Sequence, residues 1–348
     1  MKTMNRLSAI YSKGSSLGAD RMNGVAEGPT AGPLRLSSRR VIANYGIILV
    51  LLLLILVFTA LSPSFLSVPT MINIARQIAT VGICAVGVTI VMISGGIDFS
   101  IGSLLALVNI VCAKLIVDYS ISPAVAVLIG LLMAIIIGFI NAFWITVVDI
   151  PPLITTLGMM TSMRGLAYVL SGGHAIRGFG DGFRSLGRGS IGFVPVPVIV
   201  MGVVFILGWL FLTRTRYGRF VYGMGSSEEA ARSSGVDVVK MKFLVYGISG
   251  FLAAVAGVLL LSRLNTGLPK TGTGLEMEVV TAVVLGGVSI YGGKGSIFGV
   301  FVGVIIMGVL TTGMTYLNVT EYVQLFVRGL VLLLAIGFDN LSKKAKLS

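Results

Sequence analysis

The chain has 348 residues, of which 55% are hydrophobic and only 11% are charged, and its mean hydropathy is +1.00. A water-soluble domain cannot hide that much apolar surface, and several windows exceed about 18 nearly uncharged residues, so the composition indicates a polytopic membrane protein. The formal net charge of +13 would suit nucleic acid, but the basic residues fall mostly in loops at one side of the predicted membrane, so no nucleic-acid partner is expected.

The first forty residues are rich in Ser, Gly, Lys and Arg and contain no apolar core. They are predicted to form a disordered cytoplasmic tail, 1–40. Basic residues precede the first apolar segment, which places the N-terminus inside by the positive-inside rule. That segment comes late and is long enough to span, which argues against a secretory signal.

About ten apolar segments follow, which predicts an all-α polytopic membrane protein with both termini in the cytoplasm. The transmembrane domain is expected at 41–338 and a short basic cytoplasmic tail at 339–348. The eighth segment is too short to cross a core of about 30 Å at about 1.5 Å per residue, so it is predicted to be broken or re-entrant. The predicted spans are Ile42–Leu61, Ile74–Ile93, Ile101–Val117, Ala124–Val147, Leu153–Leu170, Val196–Leu212, Phe243–Leu261, Val279–Tyr291, Ile297–Leu317 and Tyr322–Phe338.

A polar interval, 213–242, interrupts the apolar segments and lies on the cytoplasmic side in this topology. Its centre predicts a short solvated helix, with Ser226 or Ser227 as the N-cap, two glutamates in the first turn and Gly235 at the end. A charge run is usually only a solvated loop, but a capped helix between two membrane halves suits docking to a soluble partner. The residues assigned to this helix are Ser227, Glu228, Glu229, Ala230, Ala231, Arg232 and Gly235.

Two glycine-punctuated stretches, 94–103 and 286–296, each follow one apolar segment and open another. In transporters with duplicated halves, broken helices of this kind meet near the membrane midplane. The second stretch superficially suggests a phosphate loop, but it lacks the Gly-x-x-x-x-Gly-Lys-Ser/Thr spacing, so the chain is not expected to hydrolyse ATP. The residues assigned to the two helix breaks are Gly95, Gly96, Asp98, Ser100, Gly102, Ser103, Gly286, Gly287, Gly292, Gly293, Lys294 and Gly295.

Small residues also recur every four positions at Gly295, Gly299 and Gly303, which predicts close packing of the ninth span against a neighbouring helix.

Asp98 is the most prominent charged residue within or at the edge of the predicted membrane, and two roles are open for it. It could cap a helix start at the positive end of the helix dipole. Alternatively, it could carry protons or bind a coupling cation, although no second acidic residue is obviously placed to share one.

Polar residues within the apolar spans are candidates for lining a translocation path, although helix packing explains each of them individually. Arg164 and Arg328 each stand in an Arg-Gly-Leu sequence inside a span and must face protein, water or headgroups. The lone His174 and the cysteines offer no metal cluster, and no nucleophile has a base partner, so no catalytic residue, metal or cofactor is expected. The path candidates are Gln77, Asn109, Asn141, Arg164, Thr281 and Gln324.

Three long motifs, taken together, resemble the ribose-type sugar permeases of ABC transporters. The resemblance extends from the first span to the C-terminus and implies a permease subunit of an importer in the bacterial plasma (inner) membrane. It also implies two ABC ATPase subunits, a second permease subunit, identical or different, and a periplasmic sugar-binding protein as partners. The motifs are GGIDFSIGSLLAL at Gly95–Leu107, RYGRFVYGMGSSEEAARSSGVDVVKMK at Arg216–Lys242 and AVVLGGVSIYGGKGSIFG at Ala282–Gly299.

The resemblance further implies that the short helix at 227–235 is a coupling helix that docks in a cleft of the ATPase. The expected cargo is a monosaccharide, either a pentose, a hexose or a related polyol. Permeases for branched-chain amino acids or nucleosides share the general plan and stay as alternatives, although the GGIDFS and GGKGS motifs favour the sugar group. A more distant alternative is a secondary transporter that uses Asp98 for ion coupling.

Overall fold

A computed structural model of the protein describes residues 38–62 and 64–347, with side chains from residue 47 to residue 337 except at position 63. The chain divides into two units, 1–44 and 45–348, and all contacts described here lie within the second. Most of the predicted tail therefore lies outside the described residues. The structure begins three residues before the end of that tail, with the first helix.

The described chain is mostly helical, as its apolar composition predicted. Two pairs of very short strands add to the helices, a detail that the all-α expectation did not include. The helices are α1 Ser38–Leu61, α2 Val68–Ile93, α3 Ile101–Val117, α4 Pro123–Thr146, α5 Pro152–Ser171, α6 Asp181–Arg188, α7 Val196–Arg214, α8 Arg216–Ser226, α9 Glu228–Ser233, α10 Val238–Leu264, α11 Leu275–Leu285, α12 Ile297–Tyr316 and α13 Glu321–Leu347. The strands are β1 Ile176–Arg177, β2 Ser190–Ile191, β3 Val194–Pro195 and β4 Thr266–Gly267.

Six helices in the described part are long and apolar enough to cross a membrane: α2, α4, α5, α7, α10 and α12. Each of them coincides with a predicted span. Two shorter apolar helices, Ile47–Leu61 within α1 and the whole of α3, match two more. Helix α11 has only 11 residues, about 16 Å at about 1.5 Å per residue, which fits the expectation of a broken helix. The full count of about ten spans stays a prediction.

Helices α2, α10 and α12 form the buried centre of the bundle, whereas only a minority of the residues of α4, α5 and α7 are buried and each of these helices exposes several large apolar side chains. Helix α10 packs against α2, α3 and α4. In a membrane protein, apolar faces of this kind contact lipid or another subunit.

The small-residue stripe on α12 packs backbone to backbone against α11, as its spacing predicted. A Cβ atom on Gly299 would overlap the carbonyl oxygen of Gly286, and one on Gly303 would overlap that of Ala282. Neither position can carry a larger residue unless the two helices separate. This contact fixes the short helix α11 against a full-length neighbour.

The segment 171–195 separates the fifth and sixth predicted spans and therefore lies on the outer side in the predicted topology. It contains α6 and three of the strands. Strand β1 pairs antiparallel with β4, and β2 pairs antiparallel with β3. Ser262 of α10 anchors α6, because its Oγ accepts a hydrogen bond from the Gly187 backbone N–H at 2.6 Å and donates one to the Phe183 carbonyl at 2.6 Å. The segment is thus packed on the helix bundle.

Candidate functional site

Helix α9 is the short solvated helix that the sequence predicted. The Oγ of Ser227 accepts a hydrogen bond from the Ala230 backbone N–H at 3.2 Å, so Ser227 and not Ser226 is the N-cap. Gly235 follows the helix with a φ of +82°, a left-handed conformation that glycine adopts without steric cost. The rest of the polar interval is more helical than predicted, since α8 precedes α9 directly and α10 begins before the expected start at Phe243.

The two glutamates of α9 have different surroundings. Glu228 accepts hydrogen bonds from Arg232 at 2.8 Å and from Lys242 of α10 at 2.7 Å. Burial raises the pKa of the Glu228 carboxyl, but the hydrogen bonds from Lys242 and Arg232 outweigh it and leave that pKa below its usual value. Glu229 is exposed and makes no ion pair with any residue that the structure describes. Glu228 therefore ties α9 to α10, while the carboxylate of Glu229 faces outward.

Replacing Glu228 with glutamine is expected to cost up to about 1 kcal/mol of stability near neutral pH, because ion pairs this exposed contribute little. Since the pKa of Glu228 is lowered in the folded chain, its contribution is present above the ordinary value of about 4.3 and is lost as the pH falls through the lowered value. Melting temperatures of wild type and Glu228→Gln should therefore converge in acid. Glu229→Gln is the control and should match wild type throughout. A deficit of Glu228→Gln that persists unchanged in acid would contradict the assignment.

Three separate stretches of backbone meet at the end of α8, just before α9, in what we term the glycine junction: Ile93, Gly95, Gly225, Gly292 and Gly293. The Gly293 N–H donates a hydrogen bond to the Ile93 carbonyl at 2.9 Å. A Cβ on Gly225 would overlap that carbonyl oxygen and lie 2.5 Å from Gly293 N. Gly95 and Gly292, both at φ +85°, approach each other so closely that a Cβ on Gly292 would lie 2.9 Å from Gly95 Cα. The two helix breaks therefore contact each other and Gly225, which lies just before the start of α9.

The other residues of the second break lie beside the junction. The Tyr222 hydroxyl of α8 donates to the Gly295 carbonyl at 2.9 Å. Gly286 packs against α12, since a Cβ there would lie 2.6 Å from the Val300 backbone, whereas a Cβ on Gly287 would meet nothing within 4 Å. The side chain of Lys294 is exposed. This break is thus held mainly through its backbone.

Asp98 of the first break is buried and fully engaged by hydroxyl and amide donors. Its Oδ1 accepts from the Ser100 backbone N–H at 3.0 Å and from the Ser100 hydroxyl at 2.6 Å, and its Oδ2 accepts from the Ser249 hydroxyl of α10 at 2.7 Å. The Asn141 amide of α4 donates to the Ser100 hydroxyl at 3.0 Å, and Ser103 donates to the Ser100 carbonyl at 2.8 Å. Ser100 is the N-cap residue of α3, so Asp98 does not bond to an N–H group inside the helix. Its contacts support a structural role, in which Asp98 ties the start of α3 to α10 while Ser100 ties it to α4.

Two glycines of the first break mark further close approaches. A Cβ on Gly96 would lie 2.6 Å from the Tyr246 hydroxyl, which itself contacts the backbone of this break. A Cβ on Gly102 would lie 2.6 Å from the Gly272 carbonyl and would overlap the Glu276 carboxylate. The first break is therefore packed on one side against α10 and on the other against the segment that leads into α11.

Each of the six candidates for a translocation path makes a hydrogen bond within the chain, and five of these bonds join different segments, whereas that of Thr281 stays within α11. The contacts support a packing role for those five, and the role of all six in a path stays a prediction. The contacts are Gln77 with Thr312 at 3.4 Å, Asn109 with the Leu268 N–H at 3.2 Å, Asn141 with Ser100 at 3.0 Å, Arg164 with the carbonyls of Pro269 and Thr271 at 2.8 and 2.6 Å, Thr281 with the Met277 carbonyl at 2.6 Å, and Gln324 with Thr315 at 3.3 Å.

Comparison with known proteins identifies the family. A family model described as "Branched-chain amino acid transport system / permease component" matches residues 70–336. The chain belongs to this family. The permease is 40% identical to the ribose import permease protein RbsC of Bacillus subtilis over 302 aligned residues. The alignment covers 86% of the permease and 94% of that relative. It is 35% identical to the L-arabinose transport system permease protein AraH of Escherichia coli over 307 aligned residues. That alignment covers 88% of the permease and 93% of the relative. No solved structure matches it.

Membership in this family makes the permease a multi-pass membrane protein and a transport component, not an enzyme. The six long apolar helices agree with that assignment. The three sequence motifs that carry the resemblance come together in space, because the glycine junction joins both helix breaks to the segment just before α9.

Sequence reasoning missed two glutamates of α11. Glu278 is buried and forms an ion pair with Arg328 of α13 at 3.3 Å, and the Thr311 hydroxyl lies 3.5 Å from the same carboxylate. Glu276 is also buried and accepts a hydrogen bond from the Gly274 N–H at 3.1 Å. Two features of the sequence could have indicated this pair. Arg328 lies inside an apolar span, where a charged group is costly unless it is paired, and Glu276 and Glu278 lie at the start of another apolar segment.

Proposed function

We propose that the permease is the membrane-spanning subunit of an ATP-driven ABC importer that carries a monosaccharide, either a ribose-like pentose, a hexose or a related polyol. The observation that carries this proposal is the similarity to relatives named for ribose import and L-arabinose transport, at 40% and 35% identity over 86% and 88% of the permease. The three sequence motifs support the same group of permeases.

The proposed topology has about ten spans in the bacterial plasma (inner) membrane, with both termini in the cytoplasm. The domain organisation is a cytoplasmic tail at 1–40, a transmembrane domain at 41–338 with the cytoplasmic coupling loop at 213–242, and a cytoplasmic end at 339–348. The basic residues of the coupling loop support this orientation by the positive-inside rule. They are Arg214, Arg216, Arg219, Arg232, Lys240 and Lys242.

The proposed partners are two ABC ATPase subunits, a second permease subunit, identical or different, and a periplasmic sugar-binding protein. The exposed apolar faces of α4, α5 and α7 suit lipid and the second permease subunit. Helix α9 suits the ATPase, because its cap is satisfied internally while Glu229 and Ala230 are exposed. Ala231, on its inner face, is buried.

In the proposed mechanism, closure of the ATPase subunits pushes the coupling helices of the two permease subunits together. Helix α9 follows the junction residue Gly225 almost directly, and Glu228 joins it to Lys242 of α10. A push on α9 therefore reaches the end of α2 and the segment between α11 and α12 through backbone contacts, which side-chain rotation cannot absorb. The helices then open the opposite end of the bundle, where the binding protein releases its sugar.

Replacing Glu229 with alanine tests this coupling role. We expect at least a tenfold loss of ATPase stimulation by the ribose-loaded binding protein in reconstituted liposomes, because a charged hydrogen bond at an interface contributes about 1.5–3 kcal/mol. The melting temperature of the permease should not change, since Glu229 makes no ion pair with the described residues. Glu321→Ala removes an exposed glutamate from the first turn of α13 and is the matched control. Full stimulation in Glu229→Ala, or an equal loss in the control, would reject the proposal.

A branched-chain amino acid is the second candidate cargo, because the description of the matched family names that class. The thermal shift of the binding protein with ribose, L-arabinose and leucine distinguishes the two classes. Stabilisation by leucine alone would overturn the sugar assignment.

Ion coupling through Asp98 is the remaining alternative. Its carboxylate already accepts three hydrogen bonds from Ser100 and Ser249, which supports a structural role. Uptake that survives a protonophore and stops with vanadate would exclude ion coupling.

A further inference from the structure

Three arginines from three different helices close a cycle of hydrogen bonds at one end of the bundle. Arg76 of α2 donates to the Arg188 carbonyl of α6 at 3.4 Å. Arg188 donates to the Arg263 carbonyl of α10 at 2.7 Å, and Arg263 donates to the Arg76 carbonyl at 2.9 Å. Each side chain thus binds the main chain of the next arginine, which holds three positive groups around one place.

The three arginines line a cavity of about 490 Å³ together with Asn73 and Gln77. The Thr312 hydroxyl donates to Gln77 Oε1 at 3.4 Å, so the amide NH₂ of Gln77 remains as a further donor. The side chains around this cavity are therefore rich in hydrogen-bond donors, and the volume is large enough for a small polar group with its waters.

The cavity has no acidic partner in the part of the chain that the structure describes. None of the ion pairs found there includes Arg76, Arg188 or Arg263. Each guanidinium has five N–H donors, and the cycle engages only one nitrogen of each. Moreover, Arg76 Nε is buried without a hydrogen-bond partner among the described residues. Three positively charged guanidinium groups, which repel one another, are thus held in place, and most of their N–H donors make no hydrogen bond to the described residues.

We propose that this arginine pocket, formed by Arg76, Arg188, Arg263, Asn73 and Gln77, binds a phosphate group carried by a small solute or by a lipid headgroup. Guanidinium groups pair with phosphate oxygens through parallel charge-assisted hydrogen bonds, and the phosphate charge offsets the repulsion between the arginines. The pocket is distinct from the coupling segment, because Arg263 lies about 38 Å along α10 from the end of that helix next to α9.

The test uses the full-length permease in a maltoside detergent, which carries no phosphate. Its melting temperature is measured against sodium phosphate, with sodium chloride at equal ionic strength as the reference. We expect a saturable rise with phosphate, and at least a tenfold weaker apparent affinity in Arg188→Gln. Arg188 is exposed, and its backbone carbonyl still accepts from Arg76 in this variant, so the fold should persist. Arg184→Gln is the matched control, since Arg184 lies on the same helix but pairs with Asp181 at 2.9 Å.

A second arm adds phosphatidylglycerol to the micelles and separates the two sources. Stabilisation by inorganic phosphate that needs Arg188 supports a soluble phosphate compound, whereas stabilisation that needs Arg188 but appears only with phosphatidylglycerol supports a lipid headgroup. The proposal is overturned if neither probe raises the melting temperature above the chloride reference. It is equally overturned if Arg188→Gln responds to both probes as strongly as wild type and Arg184→Gln.

Discussion

Gly225→Ala should lower ribose uptake by the reconstituted transporter at least tenfold. The added Cβ would overlap the Ile93 carbonyl oxygen and lie 2.5 Å from Gly293 N. Both neighbours are backbone atoms, so no side chain can rotate away, and the hydrogen bond between them must open. Overpacking of this kind costs about 1–3 kcal/mol, which a folded protein tolerates. We therefore expect a permease that assembles and melts somewhat earlier but transmits the motion of α9 poorly.

Gly223→Ala is the matched control, because Gly223 lies two residues earlier on α8 and a Cβ there meets nothing within 4 Å. Alanine is favoured over glycine within a helix by up to about 1 kcal/mol, so this variant should keep full uptake and melt no earlier than wild type. Normal uptake in Gly225→Ala would show that the glycine junction does not transmit motion. An unchanged melting temperature in that variant would show that the close contact itself is absent.

Arg328→Met should destabilise the permease by about 3–5 kcal/mol, because it leaves the buried Glu278 carboxylate without its counter-charge. The nearby Thr311 hydroxyl, 3.5 Å away, is too distant and uncharged to replace the guanidinium. The free energy of unfolding in mixed detergent micelles measures this loss. Adding Glu278→Gln to the same chain removes the stranded charge, so the double variant should recover most of the lost stability.

The control for this pair is Arg177→Met, which removes an exposed arginine from β1 and should change stability by less than about 0.5 kcal/mol. A double variant as unstable as the sum of its two single variants would contradict the ion pair. So would a loss in Arg328→Met no larger than that in the control.

The short helix α9 could be predicted from sequence because all of its signals are local. A serine cap, two acids in the first turn and a closing glycine stand within nine residues, and the structure confirms each of them. The six long apolar helices could be predicted for a similar reason, since length and composition alone identify them. The start of α10 at Val238 was missed because its first turns carry Lys240 and Lys242, which a hydropathy pattern assigns to a loop.

The glycine junction could not be predicted, because a glycine shows only that some backbone comes close and not which one. Ile93, Gly225 and Gly293 are each more than sixty positions from the next, and only the packed bundle brings them together. The pairing of Arg328 with Glu278 was missed for the same reason. The sequence indicated that Arg328 must face protein, water or headgroups, but it did not indicate that the facing group is Glu278 on another helix.

The segment 171–195 lies on the outer side in the predicted topology, yet it holds three arginines, Arg177, Arg184 and Arg188, which the positive-inside rule disfavours there. The structure gives two of them local roles. Arg184 pairs with Asp181 one turn earlier on α6, and Arg188 takes part in the arginine cycle. Counting charges in loops cannot distinguish arginines that bind other residues of the protein from those that determine its orientation in the membrane. The count does not show which arginines are already paired or hydrogen-bonded.

Helix α10 has a further consequence for how the permease moves. Its uncharged stretch runs between Lys242, which binds Glu228, and Arg263, which binds the Arg76 carbonyl. The two are about 32 Å apart, close to the thickness of the hydrocarbon layer. If α10 slid along its own axis by one turn, both contacts would break and the charged side chain of either Lys242 or Arg263 would enter the hydrocarbon layer. We therefore expect helix α10 to move by tilting between its two anchored ends.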